Sequence, residues 1–96
     1  MVKRLRRSAR AEQDLIEIWN FIAKDNETAA DRIFDLLVAK SELVARSPTI
    51  GRLRKEIGED IRSTLAGSWS IFYRVHPNHV EILRYLHTRR RMPEVL

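Results

Sequence analysis

The sequence contains no cysteine, and no apolar run approaches the roughly 20 residues that a membrane-spanning helix needs. The missing thiols exclude disulfides and thiolate metal sites. The first residues, MVKRLRRSAR, are charged and lack the apolar centre of a signal peptide. Repeats and low-complexity tracts are absent as well. These absences favour a cytoplasmic protein that makes no membrane contact.

Metal-binding side chains are also scarce. His76 and His79 flank a turn, but no carboxylate stands between them, and His87 lies alone near the end of the chain. Such a set does not provide the three or four ligands that a zinc site requires. We therefore expect neither a metal nor a cofactor.

The chain has 96 residues, a formal net charge of +5 and a pI of about 10.2. A chain of this length buries about 60–65% of its unfolded surface, which supports one core, so we expect a single domain over residues 1–96. The excess of positive charge favours an anionic partner, either a nucleic acid or an acidic protein segment.

A first helix is predicted over residues 9–24. Ser8 can cap its N-terminus, because a serine hydroxyl accepts a hydrogen bond from the free N–H groups of the first turn. Apolar residues then follow at helical spacing, namely Ala11, Leu15, Ile18, Trp19 and Ile22.

A second helix begins near Thr28, which with Asp31 resembles a capping box, and Pro48 ends it. The loop between the helices is short, so they are expected to form an antiparallel hairpin. The residues expected in the core of this hairpin are Trp19, Ile22, Phe34 and Leu37.

Beyond a charged connector, the hydrophobic period changes from near 3.6 to 2. IRSTLAG, SWSIFYRVH and HVEILRYLH indicate three strands, and KRLRRS near the start fits a short edge strand or a disordered basic arm. The order predicts an α+β fold with an N-terminal strand, an antiparallel helical hairpin and three antiparallel strands. The last strand is apolar on both faces, with Val80, Ile82 and Leu86 on one side and Leu83 and Tyr85 on the other. It is therefore central in the sheet, or its second face is reserved for a partner.

Five segments in order resemble the ParE branch of the RelE/ParE superfamily of bacterial type II toxins, and they cover nearly the whole chain. They are A-x-x-D-L-x-x-I-W-x-F-I-A (11–23), A-A-x-R-I (29–33), SPTIGRLRKEI (47–57), IRSTLAGSWSIFYRV (61–75) and VEILRYLH (80–87). The resemblance implies a helical hairpin packed on a small antiparallel sheet. It also implies a cognate antitoxin whose disordered C-terminal segment folds against the toxin. ParE-like members poison DNA gyrase, whereas RelE-like members cleave messenger RNA on the ribosome.

The chemistry of the available side chains favours inhibition of gyrase over cleavage of RNA. RNA cleavage through the 2′-hydroxyl needs a base, an acid and positive charge at the phosphate, and arginine supplies only the charge. RelE-like nucleases have lysines on the sheet and usually a tyrosine near the C-terminus. Here Lys55 is the only lysine after Lys40, and no tyrosine follows Tyr85. The alternative nuclease reading would use Arg62, Arg74, Arg84 and His87.

For two of these residues, His87 and Arg84, a structural role is the alternative interpretation. A histidine at a strand end is most often structural or solvated. Arg84 stands among apolar residues, where a lone charge is costly, so it needs a carboxylate or carbonyl partner. The candidate carboxylates are Glu56, Glu59 and Asp60.

The resemblance places the gyrase-binding element at the C-terminal end, on Arg89, Arg90, Arg91 and Met92. Adjacent arginines suit a wide contact with an acidic surface or with DNA phosphates, so direct contact with nucleic acid is a further expectation. The alternative is a frayed basic end.

Antitoxin binding needs apolar surface that the toxin's own fold leaves uncovered. Four residues fall off the main helical stripes and are expected to line such a groove or to complete the core: Ile16, Phe21, Leu36 and Leu43. Basic residues around the groove would attract an acidic antitoxin tail into a hetero-oligomer. A third possibility is a domain that binds its antitoxin but has lost toxicity.

Overall fold

A computed structural model describes residues 3–89. The expected α+β architecture is confirmed: one strand, two helices and then the remaining strands. A two-residue strand, which was not expected, lies in the connector. The elements are β1 (Arg4–Arg7), α1 (Ala9–Ala23), α2 (Glu27–Arg46), a 3₁₀ turn (Pro48–Ile50), β2 (Arg52–Leu53), β3 (Ile61–Ala66), β4 (Trp69–Val75) and β5 (His79–His87).

Helix α1 begins as predicted. Ser8 has extended backbone angles, and its hydroxyl accepts a hydrogen bond from Ala11 N at 3.0 Å. Such a cap stabilises a helix by about 1 kcal/mol. The helix ends at Ala23, one residue before the predicted end.

The predicted cap of α2 is wrong. Asn26 is the N-cap, with its side-chain oxygen accepting from Ala29 N at 3.0 Å, and Thr28 lies inside the first turn. Asparagine caps at least as well as threonine, and starting two residues earlier leaves a shorter loop. Asp31 does not close a capping box, because its carboxylate accepts from the Trp19 indole N–H at 2.8 Å.

The predicted hairpin core is only partly correct. Leu37 is fully buried, but Phe34 is 39% exposed and Trp19 and Ile22 are half-buried. The hairpin buries its stripe against the sheet, so Phe34 and Trp19, which lie toward the outer side, keep solvent contact. The residues that form the core cluster with the sheet are Ala11, Leu15, Ile18, Leu37, Val44, Ala66, Ile71, Tyr73, Val80, Ile82 and Tyr85.

The five strands form a single mixed sheet in the order β1-β5-β4-β3-β2. The three C-terminal strands β3, β4 and β5 are antiparallel, as predicted, and β2 is antiparallel to β3. β1 runs parallel to β5, so the sheet as a whole is mixed and not the small antiparallel sheet that the resemblance implies. Parallel neighbouring strands need a long connection, and the connection from β1 to β5 includes the helical hairpin. The expected central position of the last strand is confirmed, since β5 lies between β1 and β4.

A register shift interrupts the alternation of β5. Tyr73 lies opposite Ile82, but Phe72 lies opposite Arg84, so Leu83 is an additional residue in β5. The predicted uninterrupted alternation is therefore wrong: Tyr85 enters the same core cluster as Ile82. A β-bulge of this kind re-aims the side chains beyond it.

Candidate functional site

On the side away from β4, the second half of β5 is partnered by α1 and not by a strand. β1 ends at Arg7, opposite Ile82. From there Ser8 donates its N–H to Ile82 O at 2.9 Å and its hydroxyl to Leu83 O at 3.0 Å. Asp14, nearly two turns further along α1, accepts the N–H of Tyr85 at 3.0 Å. The start of the helix thus satisfies the strand edge that β1 leaves.

Asp14 is also the partner of Arg84. The Arg84 Nε–Asp14 Oδ2 distance is 2.8 Å and the Nη2–Oδ1 distance is 3.2 Å, and the two side chains are 11% and 3% exposed. The predicted partners Glu56, Glu59 and Asp60 are wrong, because the bulge and the end of β1 bring α1, not the connector, against Arg84. Two parallel hydrogen bonds make this a bidentate pair, which is geometrically specific.

A weaker ionic contact extends this pair to the surface. Arg10 Nε lies 3.6 Å from Asp14 Oδ1, and Arg10 Nη1 lies 3.6 Å from Glu17 Oε1. Asp14 therefore accepts from a backbone amide and from Arg84 while a second guanidinium stands nearby. Its buried charge is compensated from several directions, as burial of a carboxylate requires.

The structure does not bring together the four residues that the nuclease hypothesis would use, which are Arg62, Arg74, Arg84 and His87. Arg62 pairs across the sheet with Tyr73 and His87 with Trp69, which places both on the face that carries the helices. Arg74 pairs with Ile61 and Glu81, and Arg84 with Phe72, which places these two arginines on the opposite face. Arg62 and His87 lie at opposite ends of their shared face.

His87 has structural contacts. Its ring packs edge-on against Trp69 with centroids 5.0 Å apart, and its Nδ1 accepts the backbone N–H of Arg89 at 3.1 Å. That bond places the ring proton of a neutral imidazole on Nε2. A cavity of about 200 Å³ adjoins this ring and is lined by Asp14, Glu17, Ile18, Phe21, Trp69, Tyr85, Leu86 and His87.

Of the predicted gyrase-binding residues, only Arg89 belongs to the described part of the chain. It follows β5 in a turn and is exposed. Arg90, Arg91 and Met92 lie outside the described residues.

The predicted antitoxin-binding residues lie on separate surfaces. Ile16 is 61% exposed and borders a groove of about 320 Å³ between the helices, together with Trp19 and Phe34. Phe21 is 73% exposed and belongs to the cavity beside His87. Leu36 is 39% exposed and faces Gly67 in the β3–β4 turn, whereas Leu43 is half-buried.

Charge is divided between the two layers. The helical region, residues 9–46, contains eight acidic and five basic residues, whereas the rest of the chain contains five acidic and thirteen basic ones. The groove at Ile16 includes Asp31 and no cation among the described residues that line it. The lining of this groove therefore carries a negative charge, and the expected basic surroundings of an antitoxin groove stay a prediction.

Within residues 3–89, no cluster of three or more histidine, aspartate or glutamate side chains could hold a metal ion. No helix in the same range has the length and apolar character to cross a bilayer.

This fold is shared with toxins of known toxin–antitoxin complexes. The chromosomal ParDE system from P. aeruginosa contains a chain that superimposes with a TM-score of 0.76 at 18% identity, covering 90% of this chain and 96% of that one. The toxin–antitoxin complex RelBE2 from Mycobacterium tuberculosis gives a TM-score of 0.71 at 24% identity, covering 91% and 99%. At these identities the likeness establishes the fold.

Sequence comparison establishes the family. The model of the ParE toxin of the type II toxin–antitoxin system, parDE, matches residues 5–92. Toxin ParE1 of Caulobacter vibrioides is 36% identical over 88 residues, which are 90% of each chain. Toxin RelE3 of the same organism is 29% identical over 83 residues, which are 85% of this chain and 90% of that one. The chain belongs to the ParE toxin family and is a toxin of a type II toxin–antitoxin system.

Proposed function

We propose that this toxin inhibits DNA gyrase by binding it, has no catalytic activity of its own, and is neutralised by a cognate antitoxin. The observation that carries the proposal is the state of Arg84. Its guanidinium is held by Asp14 in a nearly buried bidentate pair and serves the fold. The strongest basic candidate for a phosphate-binding catalytic site is thereby engaged.

The other nuclease candidates support the same conclusion. General acid–base catalysis needs proton carriers within hydrogen-bond reach of one reacting group. His87 and Arg74 lie on opposite faces of the sheet. Tyr85 lines the same cavity as His87, but its hydroxyl is hydrogen-bonded to Arg7 Nε at 2.9 Å and to Ser41 Oγ at 2.7 Å. A family relative named RelE3 is the reason to test the nuclease activity directly.

The proposed gyrase-binding element is the arginine-rich end, Arg89 to Met92. Arg89 follows β5 in a turn and is exposed, so the described start of this element is accessible to a partner. Guanidinium groups bind carboxylates and phosphates through paired hydrogen bonds, which suits an acidic protein surface or DNA held by gyrase.

The proposed antitoxin surface is the groove between the helices. Its apolar members Ile16 and Phe34 are exposed on an otherwise polar surface, and such grooves accept the apolar face of an amphipathic helix. Phe21 and Leu36 lie on other sides of the molecule, which suits a partner chain that wraps around the toxin.

The deciding experiment is a supercoiling assay with purified gyrase and toxin, with and without antitoxin. We expect inhibition and accumulation of cleaved DNA, relieved by antitoxin. Changing Arg89, Arg90 and Arg91 to Gln should abolish inhibition. The matched control changes Arg4, Arg6 and Arg52, which are also exposed, and should retain inhibition with the same loss of charge.

Two outcomes would contradict the proposal. Codon-phased cuts in cellular messages after induction, seen by primer extension together with normal gyrase turnover, would establish a ribosome-dependent nuclease. Normal growth when the chain is induced without its antitoxin would indicate a binding domain without toxicity.

A further inference from the structure

A groove of about 470 Å³ lies at the end of the sheet that carries the β4–β5 turn, away from Asp14 and Arg89. It is built where the start of the chain, the connector and the β4–β5 turn meet. Its polar wall carries Lys3, Arg62 and His76, and Leu53, Val75 and Pro77 provide apolar surface. Neither the proposed gyrase contact nor the proposed antitoxin groove uses this region.

Two cations of this groove are held in place but keep free donors. Lys3 Nζ donates to His76 O at 3.1 Å and to Pro77 O at 2.8 Å, which leaves its third N–H. Arg62 Nη1 donates to Gly51 O at 2.8 Å, and within residues 3–89 this is the one hydrogen bond of its side chain. A guanidinium has five N–H donors, so most of them remain for a ligand.

The supports of these cations are themselves fixed. Gly51, which accepts from Arg62, donates its N–H to the buried Tyr73 hydroxyl at 2.9 Å, and that hydroxyl donates to Pro48 O at 2.7 Å. Lys3 is anchored by its backbone N–H on Ala45 O at 3.1 Å. Binding groups that are already ordered cost little conformational entropy when a ligand arrives.

Among the described residues that line the groove, Asp60 is the one with a negative charge. It occupies the left-handed region at φ 60°, where it turns the chain into β3, and within the described part of the chain it forms no ion pair with Arg62 or Lys3. Non-glycine residues in this region concentrate at functional sites. The cations are therefore not neutralised by the carboxylate beside them.

We propose that this groove binds a phosphate ester, with the phosphate between Lys3 and Arg62 and the organic part against Leu53, Val75 and Pro77. His76 supports Lys3 through its backbone carbonyl, since its ring Nε2 is already bonded to Glu81 Oε1 at 3.0 Å. A phosphate presents oxygens in three directions, which suits donors that approach from separate chain segments, here Lys3 before β1 and Arg62 on β3, whereas a carboxylate presents two oxygens in one plane. The apolar surface next to the donors suits a flat group such as a nucleobase.

The test is an NMR titration of the isotope-labelled full chain with adenosine 5′-monophosphate, inorganic phosphate and adenosine in separate series. We expect saturable shifts at the amides of Thr49, Leu53 and Val75. The nucleotide should bind more tightly than inorganic phosphate, and adenosine should bind weakly. This measurement needs no variant and reports the location directly.

Arg62→Gln should weaken nucleotide binding by about tenfold or more, since it removes a charged hydrogen-bond donor from the phosphate. Arg52→Gln is the control of equal charge, because Arg52 is exposed on the opposite face, across from Ser63. Equal weakening in both variants would overturn the proposal by showing non-specific attraction. Equal affinity for adenosine, or tighter binding of an acidic peptide at the same amides, would overturn it as well.

Discussion

Asp14 shows how one side chain can connect two layers of a small protein. Its carboxylate accepts the Tyr85 amide and both arms of Arg84, so it joins α1 to the strand edge that β1 leaves uncovered. Removing one partner of a buried pair leaves the other charge uncompensated, which costs more than the pair itself contributes. The residue that secures Arg84 thus also satisfies an amide of β5 beyond the end of β1.

Asp14→Ala should lower the free energy of unfolding by about 3–5 kcal/mol, measured by urea denaturation, because Arg84 and the Tyr85 amide would lose their acceptor. Glu17→Ala is the control; its contact with Arg10 is exposed and should contribute at most about 1 kcal/mol. Equal effects of the two substitutions would contradict the structural role of Asp14.

The need of Arg84 for a partner could be predicted from its apolar neighbours, but the partner could not. A strict alternation of period 2 directs Arg84 to one face of the sheet, and the additional residue Leu83 reverses that assignment for the rest of the strand. The acceptor is 70 positions away in sequence. Asp14 could have been suspected, because it is an acid among buried residues on the inner stripe of α1.

At the scale of elements, capping decides where α2 begins. Asn26 and Thr28 are both acceptable caps by residue type, and the structure uses Asn26. Asn26→Ala should cost about 1 kcal/mol of stability, whereas Thr28→Ala should change it by a few tenths, as judged by thermal and urea unfolding. The reverse order of the two effects would argue that the helix starts at Thr28.

Tyr73 fixes the connector to the sheet, and Gly51 makes room for it. Burial raises the pKa of the Tyr73 hydroxyl, so it stays protonated and donates to Pro48 O while accepting from Gly51 N. A Cβ on Gly51 would overlap this hydroxyl and the buried ring that carries it. The need here is for space, since the connector passes directly over the ring.

Gly51→Ala should therefore destabilise the fold by about 1–3 kcal/mol, the usual cost of overfilling a packed site. Gly58→Ala is the comparison, because its added Cβ would meet the flexible end of Ile61, which can move aside. Unfolding midpoints of the two variants measure the difference. A larger loss for Gly58→Ala would show that the connector adapts around Tyr73.

The long elements could be predicted from hydrophobic period, and the short or non-local ones could not. Both helices and strands β3 to β5 appear within a residue or two of their expected bounds, because each contains enough apolar repeats to define a period. The direction of β1 depends on where the hairpin returns the chain, and β2 has only two residues. Neither property is encoded in a local pattern.

At the scale of the whole molecule, the helical layer is acidic and the sheet with its flanking segments is basic. A partner that spans both layers is therefore expected to carry opposite charges on different segments. An antitoxin helix bound in the groove beside Asp31 is expected to have basic residues on either side of its apolar face. An antitoxin segment that crosses to the basic layer is expected to have acidic residues. Such complementarity steers association, so the association rate should fall as salt rises.

The groove itself can be tested by the joint change Ile16→Ser and Phe34→Ser. If a partner helix buries these side chains, antitoxin affinity should fall by about tenfold or more, because each buried apolar anchor contributes roughly 1–3 kcal/mol. Isothermal titration of antitoxin into toxin measures the affinity. Leu65→Ser supplies the control for surface apolarity, since Leu65 is 59% exposed, close to the 61% of Ile16, but lies on β3 away from the groove. A similar loss of affinity in the Leu65 variant, or none in the double variant, would move the antitoxin site from the hairpin to the sheet.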